Sequence, residues 1–203
     1  MPNLIFLCLL IISFPIQAKT AAELQHDFIQ NMVEKHGFEA KALEQLFADI
    51  EIEPPVINKV NKPAEKKLDW GRYRKIFLTE KRIAQGVTFW QDNLADLERA
   101  EAEFGVPASI IVAIIGVETY YGRITGKHSV LKALSTLGFY HARRGKFFRS
   151  ELSHFLRLAR EEGIDPRKPK GSYAGAMGRP QFIPSSYRHY AIDFDNDGKR
   201  DIW

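Results

Sequence analysis

Cysteine is almost absent from the sequence, since Cys8 is the only one among 203 residues. It lies in an apolar N-terminal segment, MPNLIFLCLLIISFPIQA, which has no charged side chain and ends at the small residue Ala18. Because this segment is short for a membrane span, we predict a signal peptide over residues 1–18. An uncleaved membrane anchor is the alternative, since no Lys or Arg precedes the apolar run and Ile16 is large for a cleavage site. Cleavage leaves no cysteine, which excludes disulfides, thiol catalysis and thiolate metal ligands.

Several other patterns are lacking as well. Strand-like alternation is scarce, no internal repeat is visible, and no strand leads into a Gly-Lys-Ser/Thr sequence, which excludes a phosphate-cradling nucleotide loop. The composition, 45% hydrophobic and 12% aromatic, is sufficient for a buried core in one domain with at most a small appendage. The net charge of +4 favours an acidic or polyanionic partner. Lys and Arg occur only in small groups, so we expect no nucleic-acid partner.

Two short amphipathic helices are predicted between Thr20 and Ile50, because apolar residues recur there at helical spacing and Gly37 separates the two sets. The residues Glu53-Pro54-Pro55 cannot continue a helix, and the polar residues that follow, as far as Lys67, predict an extended connection. We therefore divide the mature chain into an N-terminal helical segment, residues 19–62, and a core, residues 63–203.

Three longer helices are predicted in the core. The first spans residues 79–105 and has one apolar stripe, formed by Val87, Trp90, Leu94 and Leu97. Pro107 opens the second, over residues 108–120, which is apolar on all sides and is therefore expected to be buried. The third spans residues 147–162, with Gly163 as its expected C-cap, and its predicted inward residues are Leu152, Phe155, Leu156 and Ala159.

Glu118 is the first ionisable side chain after the apolar run of the second of these helices, and it precedes a turn that contains Gly122. Desolvation in a buried helix raises the pKa of a carboxyl group. A carboxyl group that stays protonated near neutral pH is what cleavage of a glycosidic bond requires, because the leaving oxygen is a poor base that must receive a proton. The alternative is a core glutamate that is bonded to a backbone group or to an arginine.

Four segments carry a resemblance to a known family: GVETYYG at residues 116–122, Arg143-Arg144, GSYAGAMG at residues 171–178 and QFIPSSY at residues 181–187. From Trp70 onward, their order and spacing resemble the membrane-bound lytic transglycosylase B family. The resemblance implies a mainly α fold: a lysozyme-like helical core with an N-terminal helical segment and a C-terminal EF-hand-like loop. It covers only the front part of a complete enzyme of that family.

The resemblance also implies a reaction. In the family a single glutamate, which Glu118 matches, cleaves the MurNAc-GlcNAc β-1,4 bond of periplasmic peptidoglycan, first as an acid and then as a base. The 2-acetamido group of the substrate stabilises the cationic transition state, so no second carboxylate is needed, and the muramoyl 6-hydroxyl attacks C1 to form 1,6-anhydromuramoyl ends. Catalysis is expected to need no cofactor, and we expect a monomer. A hydrolytic muramidase and an inactive peptidoglycan-binding remnant are the alternatives.

Five further residues match positions that line the cleft in the family. Ser172 and Gln181 match polar residues beside the glutamate, and turn chemistry among glycines is the alternative for both. Arg143 and Arg144 match an arginine pair suited to the carboxylates of peptidoglycan, with a solvated helix edge as the alternative. Tyr73 matches an aromatic residue that offers a stacking face, and core packing is its alternative.

An EF-hand-type calcium signature begins at Asp193. Oxygen ligands occupy loop positions 1, 3 and 5, a glycine occupies position 6 and an acid occupies position 9. The candidate metal ligands are Asp193, Asp195, Asp197 and Lys199, the last through its backbone oxygen at position 7. Position 12, which normally supplies a bidentate carboxylate, would follow Trp203, so we expect calcium to bind weakly. A flexible acidic tail is the alternative.

Overall fold

The computed structural model describes residues 18–61 and 68–203, so the predicted signal peptide lies outside the described residues apart from Ala18. The described chain is mainly helical, as predicted. Its helices are α1 (Ala21–His36), α2 (Ala40–Ala48), α3 (Pro54–Asn61), α4 (Trp70–Phe77), α5 (Glu80–Asp92), α6 (Leu94–Phe104), α7 (Ala108–Thr119), α8 (Val130–Tyr140), α9 (Gly145–Glu161) and α10 (Pro184–Tyr190). The short strands β1 (His128–Ser129) and β2 (Lys170–Gly171) pair antiparallel.

The two predicted N-terminal helices are confirmed as α1 and α2. At the start of α1, the Thr20 hydroxyl accepts from Glu23 N while the Glu23 carboxylate accepts from Thr20 N, which is a reciprocal capping box. Gly37 ends α1 in the left-handed conformation. Phe28 of α1 and Phe47 of α2 then meet edge to face, with ring centroids 5.8 Å apart, so aromatic packing closes the helical hairpin.

The extended connection predicted after Glu53 is wrong for residues 54–61, which form α3. The first turn of a helix leaves its N–H groups unbonded in any case, and the fixed φ of proline suits that turn. Pro54 and Pro55 therefore begin a helix that they could not have continued. Val56 of α3 is fully buried, which fixes this helix to the core. The rest of the predicted connection, residues 62–67, lies outside the described residues.

The main hydrophobic core is built around α8 and α9. Residues 130–139 of α8 are all buried except Lys132, although the sequence analysis did not predict this helix. The predicted inward side chains of α9 are confirmed, since all four are buried: Leu152, Phe155, Leu156 and Ala159. Phe28, Leu43 and Val56 belong to the same cluster. The N-terminal helices thus share one core with α8 and α9. The division of the chain into two segments at residue 62 stays a prediction.

The helix predicted over residues 79–105 is two helices, α5 and α6, which meet at Asn93. Asn93 has φ −119° and ψ 23° and donates its Nδ2 to Phe89 O at 2.7 Å, so its side chain competes with the backbone bonding of the helix. A second, smaller hydrophobic cluster joins α5, α6 and α7 around Leu97 and Val112. Of the predicted apolar stripe, Leu97 is buried but Val87 and Leu94 are exposed.

Helix α7 begins after Pro107 as predicted, but its predicted burial on all sides is wrong. One face is buried at helical spacing, namely Ala108, Val112, Gly116 and Thr119. On another face, Ile110, Ile114 and Val117 are 49%, 52% and 47% exposed. Within the described chain α5 and α6 pack against α7, and an apolar helix is buried only where other elements reach it.

No single helix in residues 18–61 and 68–203 is long and apolar enough to cross a bilayer. Helices α6 and α7 have the length and hydropathy of a membrane span only when they are taken together, and this pair is bent by 117°.

Leu134→Ala is expected to lower the free energy of unfolding by about 2–5 kcal/mol, because it removes buried methyl groups and leaves a cavity. Leu134 is fully buried in α8. Urea denaturation followed by circular dichroism measures the change. Leu78→Ala is the matched control, since Leu78 is 59% exposed. An equal loss of stability in both variants would contradict this placement of the core.

Candidate active site

Glu118 lies in the last turn of α7 with an exposed side chain. The expectation that this carboxyl group is buried is therefore wrong. Ile114, one turn earlier, belongs to the exposed apolar face of the helix, so solvent and not a core lies beside the carboxyl group. Among the described residues no hydrogen bond engages the Glu118 side chain. The alternative of a core glutamate that is bonded to a backbone group or to an arginine is therefore not observed either.

Thr119, the residue after Glu118, is buried and anchors the end of α7. Its hydroxyl oxygen lies 3.0 Å from Arg179 O and 3.2 Å from Ile115 O, and it accepts from Gly122 N at 3.0 Å. Arg179 belongs to residues 172–183, the segment between β2 and α10, which we call the glycine-rich loop. These hydrogen bonds join the end of α7 to the glycine-rich loop. Glu118, the residue before Thr119, is therefore held next to this junction.

Tyr120 and Tyr121 continue the chain with positive φ angles of 54° and 59°, a conformation that is unfavourable for residues with a side chain. The ring of Tyr121 packs against Gly86 of α5 and Gly116 of α7. A Cβ at Gly86 would lie 2.5 Å from Tyr121 Oη, and a Cβ at Gly116 would lie 2.6 Å from Tyr121 Cε1. Both glycines are therefore needed for this packing, which stabilises the strained turn after Glu118.

Arg82 contacts the same turn but was missed by the sequence analysis. Its Nη1 donates to Gly116 O at 2.7 Å. Its guanidinium lies over the ring of Tyr120 at 4.3 Å and over the ring of Phe77 at 5.2 Å. Arg82 therefore links α4, α5 and the end of α7. No local motif distinguishes it from the other cations of the chain, so only its tertiary contacts reveal it.

Ser172, a predicted substrate-binding residue, lies in the glycine-rich loop and is partly buried. Its Oγ accepts from Ala174 N at 3.2 Å and from Ala176 N at 3.1 Å. These bonds are the turn chemistry that was the alternative for this residue. A hydroxyl also has one proton to donate, and no described residue accepts it.

Gln181, the second predicted polar residue of the loop, has a positive φ of 52°. Its Nε2 donates to Thr125 O at 3.1 Å and to Gly178 O at 2.9 Å. The side chain therefore bridges the glycine-rich loop and the turn that follows α7. Its Oε1 has no hydrogen-bond partner among the described residues. Gln181 and Ser172 thus both belong to the glycine-rich loop, which Thr119 joins to α7.

Tyr73 lies on α4, a helix without a buried residue. Its ring is stacked on Trp70, with centroids 6.2 Å apart, and contacts the ring of Phe77 at 5.2 Å. Core packing, the alternative for Tyr73, is therefore not observed. Trp70, Tyr73 and Phe77 thus form a row of rings on α4. The Arg82 guanidinium connects this row to the end of α7, because it lies over the rings of both Phe77 and Tyr120.

Arg143 and Arg144 are exposed at the start of α9. The Arg144 guanidinium lies over the rings of Phe147 at 4.8 Å and Phe148 at 5.0 Å. Among the described residues, no hydrogen bond or ring contact joins either arginine to α7 or to the glycine-rich loop. Their positions agree with the solvated helix edge that was the alternative for the pair.

The three aspartates of the calcium signature converge, since one carboxylate oxygen from each of Asp193, Asp195 and Asp197 lies within 4.8 Å of the other two. Asp193 accepts from Asp197 N at 3.1 Å and from Gly198 N at 2.9 Å, which curls the segment. Lys199 N donates to Asp197 Oδ1 at 2.9 Å. The described residues therefore bring together the acidic part of an oxygen-ligand site.

Phe194 attaches this acidic loop to α6. Its ring contacts the ring of Phe104, with centroids 6.2 Å apart, and the Arg99 guanidinium lies 3.6 Å from its centroid. Arg99 Nη2 also donates to Phe194 O. The loop that was predicted to hold calcium is therefore packed against the helix that precedes α7.

An ion-pair network holds the chain that follows the acidic loop. Arg200 Nε donates to Glu162 Oε1 at 2.6 Å, and Tyr187 Oη donates to Arg200 O at 2.6 Å. Glu161 accepts from Arg188 Nη2 at 2.7 Å and from Arg200 Nη2 at 3.3 Å. Hydrogen bonds from Arg188 hold the pKa of Glu161 below its usual value. Burial raises the pKa of Tyr187 to about 12, so its hydroxyl keeps the proton that it donates.

Comparison with known proteins identifies the family. Residues 20–203 match the transglycosylase SLT domain family. The chain belongs to this family. A curated relative, "Membrane-bound lytic murein transglycosylase B" of Escherichia coli strain K12, is 44% identical over 185 residues. The match covers 87% of this chain and 51% of the relative, so the chain spans about half the length of that protein. The resemblance drawn from the four sequence segments is thus confirmed.

Solved structures of similar proteins share the fold. SltB1 from Pseudomonas aeruginosa has a TM-score of 0.85 and 50% identity, over 89% of this chain and 61% of that one. Escherichia coli Slt35, solved in complex with calcium, has a TM-score of 0.84 and 43% identity, over 89% and 57%. Pseudomonas aeruginosa SltB3, solved in complex with NAG-anhNAM-pentapeptide, has a TM-score of 0.78 and 31% identity, over 92% and 49%. The predicted lysozyme-like helical fold is therefore confirmed.

The network around Glu161 predicts a pH dependence of stability. The folded state lowers the pKa of Glu161, so the ionised carboxylate stabilises the fold. This contribution to stability is fully present above the unfolded pKa of about 4.3, and it is lost as the pH falls through the lower pKa of the folded state. Glu161→Gln is expected to lower the melting temperature at pH 7, and the difference from the unmodified protein should shrink toward pH 3. Glu103→Gln, at an exposed site on α6, is the control. A difference of constant size between pH 7 and pH 3 would refute the role of the network.

Proposed function

We propose that the chain is a lytic transglycosylase that cleaves the MurNAc-GlcNAc β-1,4 bond of peptidoglycan and leaves 1,6-anhydromuramoyl ends. The relatives that are named lytic transglycosylases and the SltB3 complex with NAG-anhNAM-pentapeptide support this reaction. The observation that carries the proposal is the geometry at the end of α7. There the carboxyl group of Glu118 is open to a substrate, while Thr119 is buried and bonded to the glycine-rich loop.

Glu118 acts first as the acid. A glycan strand that lies across the end of α7 excludes water from the carboxyl group, and desolvation favours the protonated form of such a group. The carboxyl proton passes to the glycosidic oxygen as the bond from C1 to this oxygen breaks, so the GlcNAc part leaves as an alcohol. The oxygen of the substrate's 2-acetamido group stabilises the positive charge that develops at C1, and one carboxyl group is therefore sufficient.

Glu118 acts next as the base. Its carboxylate takes the proton of the muramoyl 6-hydroxyl, whose oxygen attacks C1 in place of water. The new bond between O6 and C1 closes the 1,6-anhydro ring and removes the positive charge that the acetamido oxygen had stabilised. The proton returns to Glu118, so the enzyme regains its starting state, and neither step uses a cofactor.

Ser172 and Gln181 position the sugar in this proposal. The hydroxyl proton of Ser172 and the Oε1 of Gln181 have no partner among the described residues, so both can hydrogen-bond a substrate. Tyr73, which is partly exposed on α4, is proposed to offer its ring to the glycan. Arg143 and Arg144 are proposed to contact peptide or lactyl carboxylates further along the substrate, since no described contact joins them to Glu118.

Peptidoglycan binding without cleavage is the second candidate function. The exposed apolar face of α7 favours it, because Ile114 and Val117, beside Glu118, are about half exposed. A carboxyl group surrounded by water is a poor acid catalyst until the substrate covers it. A hydrolytic muramidase is the third outcome that the following experiment separates.

Glu118→Gln is expected to abolish cleavage and leave glycan binding in place, because the amide keeps the shape of the side chain but cannot transfer the proton. Purified sacculi are digested with the protein, and the products are identified by mass spectrometry. Glu103→Gln is the matched control, since it makes the same change at an exposed site on the neighbouring helix α6, and it should cleave like the unmodified protein.

The products decide between the candidates. Anhydro ends from the unmodified protein support the transglycosylase, and reducing ends would replace it with a hydrolase. Sacculi that are bound but not cleaved would leave only the binding function. Cleavage that persists in Glu118→Gln would falsify the role of Glu118.

We also propose that Asp193, Asp195 and Asp197, with the backbone oxygen of Lys199, bind Ca²⁺ weakly. The convergence of the three carboxylates supports a cation site, as does the calcium complex of Slt35. Affinity is limited because Ca²⁺ takes about six to eight oxygen ligands, more than these residues supply. The ion would stabilise the loop and is not part of the reaction.

The calcium proposal predicts a small rise in melting temperature, visible only at millimolar Ca²⁺. Differential scanning fluorimetry with CaCl₂ against NaCl of equal ionic strength measures it. Asp195→Asn is expected to remove the rise. A large shift at micromolar Ca²⁺ would show that further ligands complete the site.

We propose that the chain acts in the periplasm, where peptidoglycan lies. The apolar, uncharged residues 1–18 support export by a signal peptide. The curated relative that is described as membrane-bound supports a location at the cell envelope, and an uncleaved anchor remains the alternative to cleavage.

A further inference from the structure

A groove lined by cations lies between α1, α9 and α10, on helices that do not carry Glu118. It consists of two cavities of about 500 and 450 Å³ that share His154 as a lining residue. We call the two cavities together the basic groove. Its positively charged and imidazole side chains include Lys35, His36, Lys146, His154, Arg157 and Arg188.

Some cations near the basic groove already have structural partners. Arg149 donates to a backbone carbonyl at 2.6 Å, and Arg160 donates to another at 2.8 Å. Arg188 binds the Glu161 carboxylate through Nε and Nη2, and its Nη1 lies 3.1 Å from His154 Nδ1. Because arginine only donates, His154 accepts through Nδ1 and has its proton on Nε2. These contacts shape the groove.

Three other cations of the groove lack such partners. Within the part of the chain that the structure describes, no carboxylate pairs with Lys35, Lys146 or Arg157, and no side-chain hydrogen bond engages them. Arg157 is only partly exposed, so solvent does not fully screen its charge. Folding alone does not explain why three unpaired cations face one cavity, since each adds repulsion to the others.

The acidic groups around the groove offset this charge only in part. Asp27 lines the groove but pairs with Lys19. Glu151, on the same face of α9 as His154, is buried and accepts from Ser185 N at 2.9 Å. Glu161 is shared between two arginines. The groove therefore keeps an excess of positive charge.

The directions of the pKa shifts in the groove agree with an excess of positive charge. Burial and the Arg157 guanidinium lower the pKa of His36. Burial, with a further effect of Arg188, lowers the pKa of Arg157 itself. Burial also lowers the pKa of His154, the Glu151 carboxylate opposes this effect, and Arg188 adds to it. Added positive charge is therefore unfavourable here, and the part of each shift that comes from a neighbouring arginine has the sign expected of an excess of positive charge.

We propose that the basic groove binds a phosphate group. A phosphate brings up to two negative charges and several acceptor oxygens, which match the guanidinium of Arg157 and the ammonium groups of Lys35 and Lys146. A single carboxylate has one charge and would leave part of the excess unpaired. The phosphate belongs either to the headgroup of an anionic phospholipid or to a soluble phosphorylated compound. The groove and Glu118 lie on different helices, and the phosphate proposal does not rest on the proposed cleavage of peptidoglycan.

Inorganic phosphate is the first probe. Isothermal titration calorimetry with the full chain at constant ionic strength is expected to show binding, and Arg157→Gln should weaken it about tenfold through the loss of one charge-assisted donor. Lys41→Gln is the matched control, because Lys41 is an exposed cation on α2 outside the groove, and it should bind within about twofold of the unmodified protein. Lys146→Gln provides a second groove variant if Arg157→Gln fails to fold by circular dichroism.

Either of two comparisons of affinity would overturn the proposal. One is equal phosphate affinity in the unmodified protein, Arg157→Gln and Lys146→Gln, and the other is equal binding of acetate and phosphate at matched ionic strength. Absence of binding to both phosphate and anionic vesicles would also overturn it.

Vesicles distinguish the two sources of phosphate. Vesicles of phosphatidylglycerol in phosphatidylcholine are sedimented with the protein, and pure phosphatidylcholine controls for attachment through the apolar N-terminal segment. A lipid headgroup is supported if the protein sediments only with vesicles that contain phosphatidylglycerol. Phosphate should then release the protein from these vesicles, and Arg157→Gln should not sediment with them. Phosphate binding without such sedimentation supports a soluble phosphorylated ligand.

Discussion

Thr119 connects the two parts of the molecule that meet at Glu118. Its buried hydroxyl accepts from Gly122 N and lies within hydrogen-bond distance of Arg179 O. Both contacts use one small side chain, and both determine where α7 ends and how the glycine-rich loop approaches it. Because a buried polar group is costly to leave unbonded, this arrangement has few alternatives. The candidate acid therefore occupies a fixed position although its own side chain is in solvent.

Close backbone approach extends this connection. A Cβ at Gly126 would lie 2.0 Å from Gly171 C, so the turn after α7 and strand β2 are in contact at a distance that only glycine permits. Gln181 adds a side-chain bridge to Thr125 in the same turn. Ser172 and Gln181, which the family resemblance assigned to substrate binding, thus also hold the glycine-rich loop in shape. Their structural and proposed functional roles use different atoms of the same side chains.

The two hydrophobic clusters of the described chain differ in how many helices pack around them. Helices α8 and α9 pack with α1, α3 and α10, and side chains of α2 join their cluster, whereas α7 packs with α5 and α6 and meets the glycine-rich loop at its end. The most apolar of the described helices is consequently one of the less buried ones. This explains why Glu118 is open to solvent, and it leaves the substrate to supply the desolvation that the proposed acid step requires.

Local sequence patterns determined much of the structure. The capping box at Thr20, the stop at Gly37 and the apolar spacing of α9 fixed helices that form as predicted, because these signals act within a few residues. The motifs around Glu118 were also sufficient to assign the family. The start of α3 shows the limit of such signals, since prolines that exclude a helix interior also suit the first turn of a helix.

Only the tertiary structure decided the environment of the site. Hydropathy alone predicted that α7 is buried, but burial depends on which elements reach a helix, and α5 and α6 reach only part of it. The contact of Arg82 with Gly116, 34 residues away, and the cations that converge from α1, α9 and α10 on the basic groove have no local pattern. Contacts between residues far apart in sequence are set by how helices pack, and that packing follows from the whole chain at once.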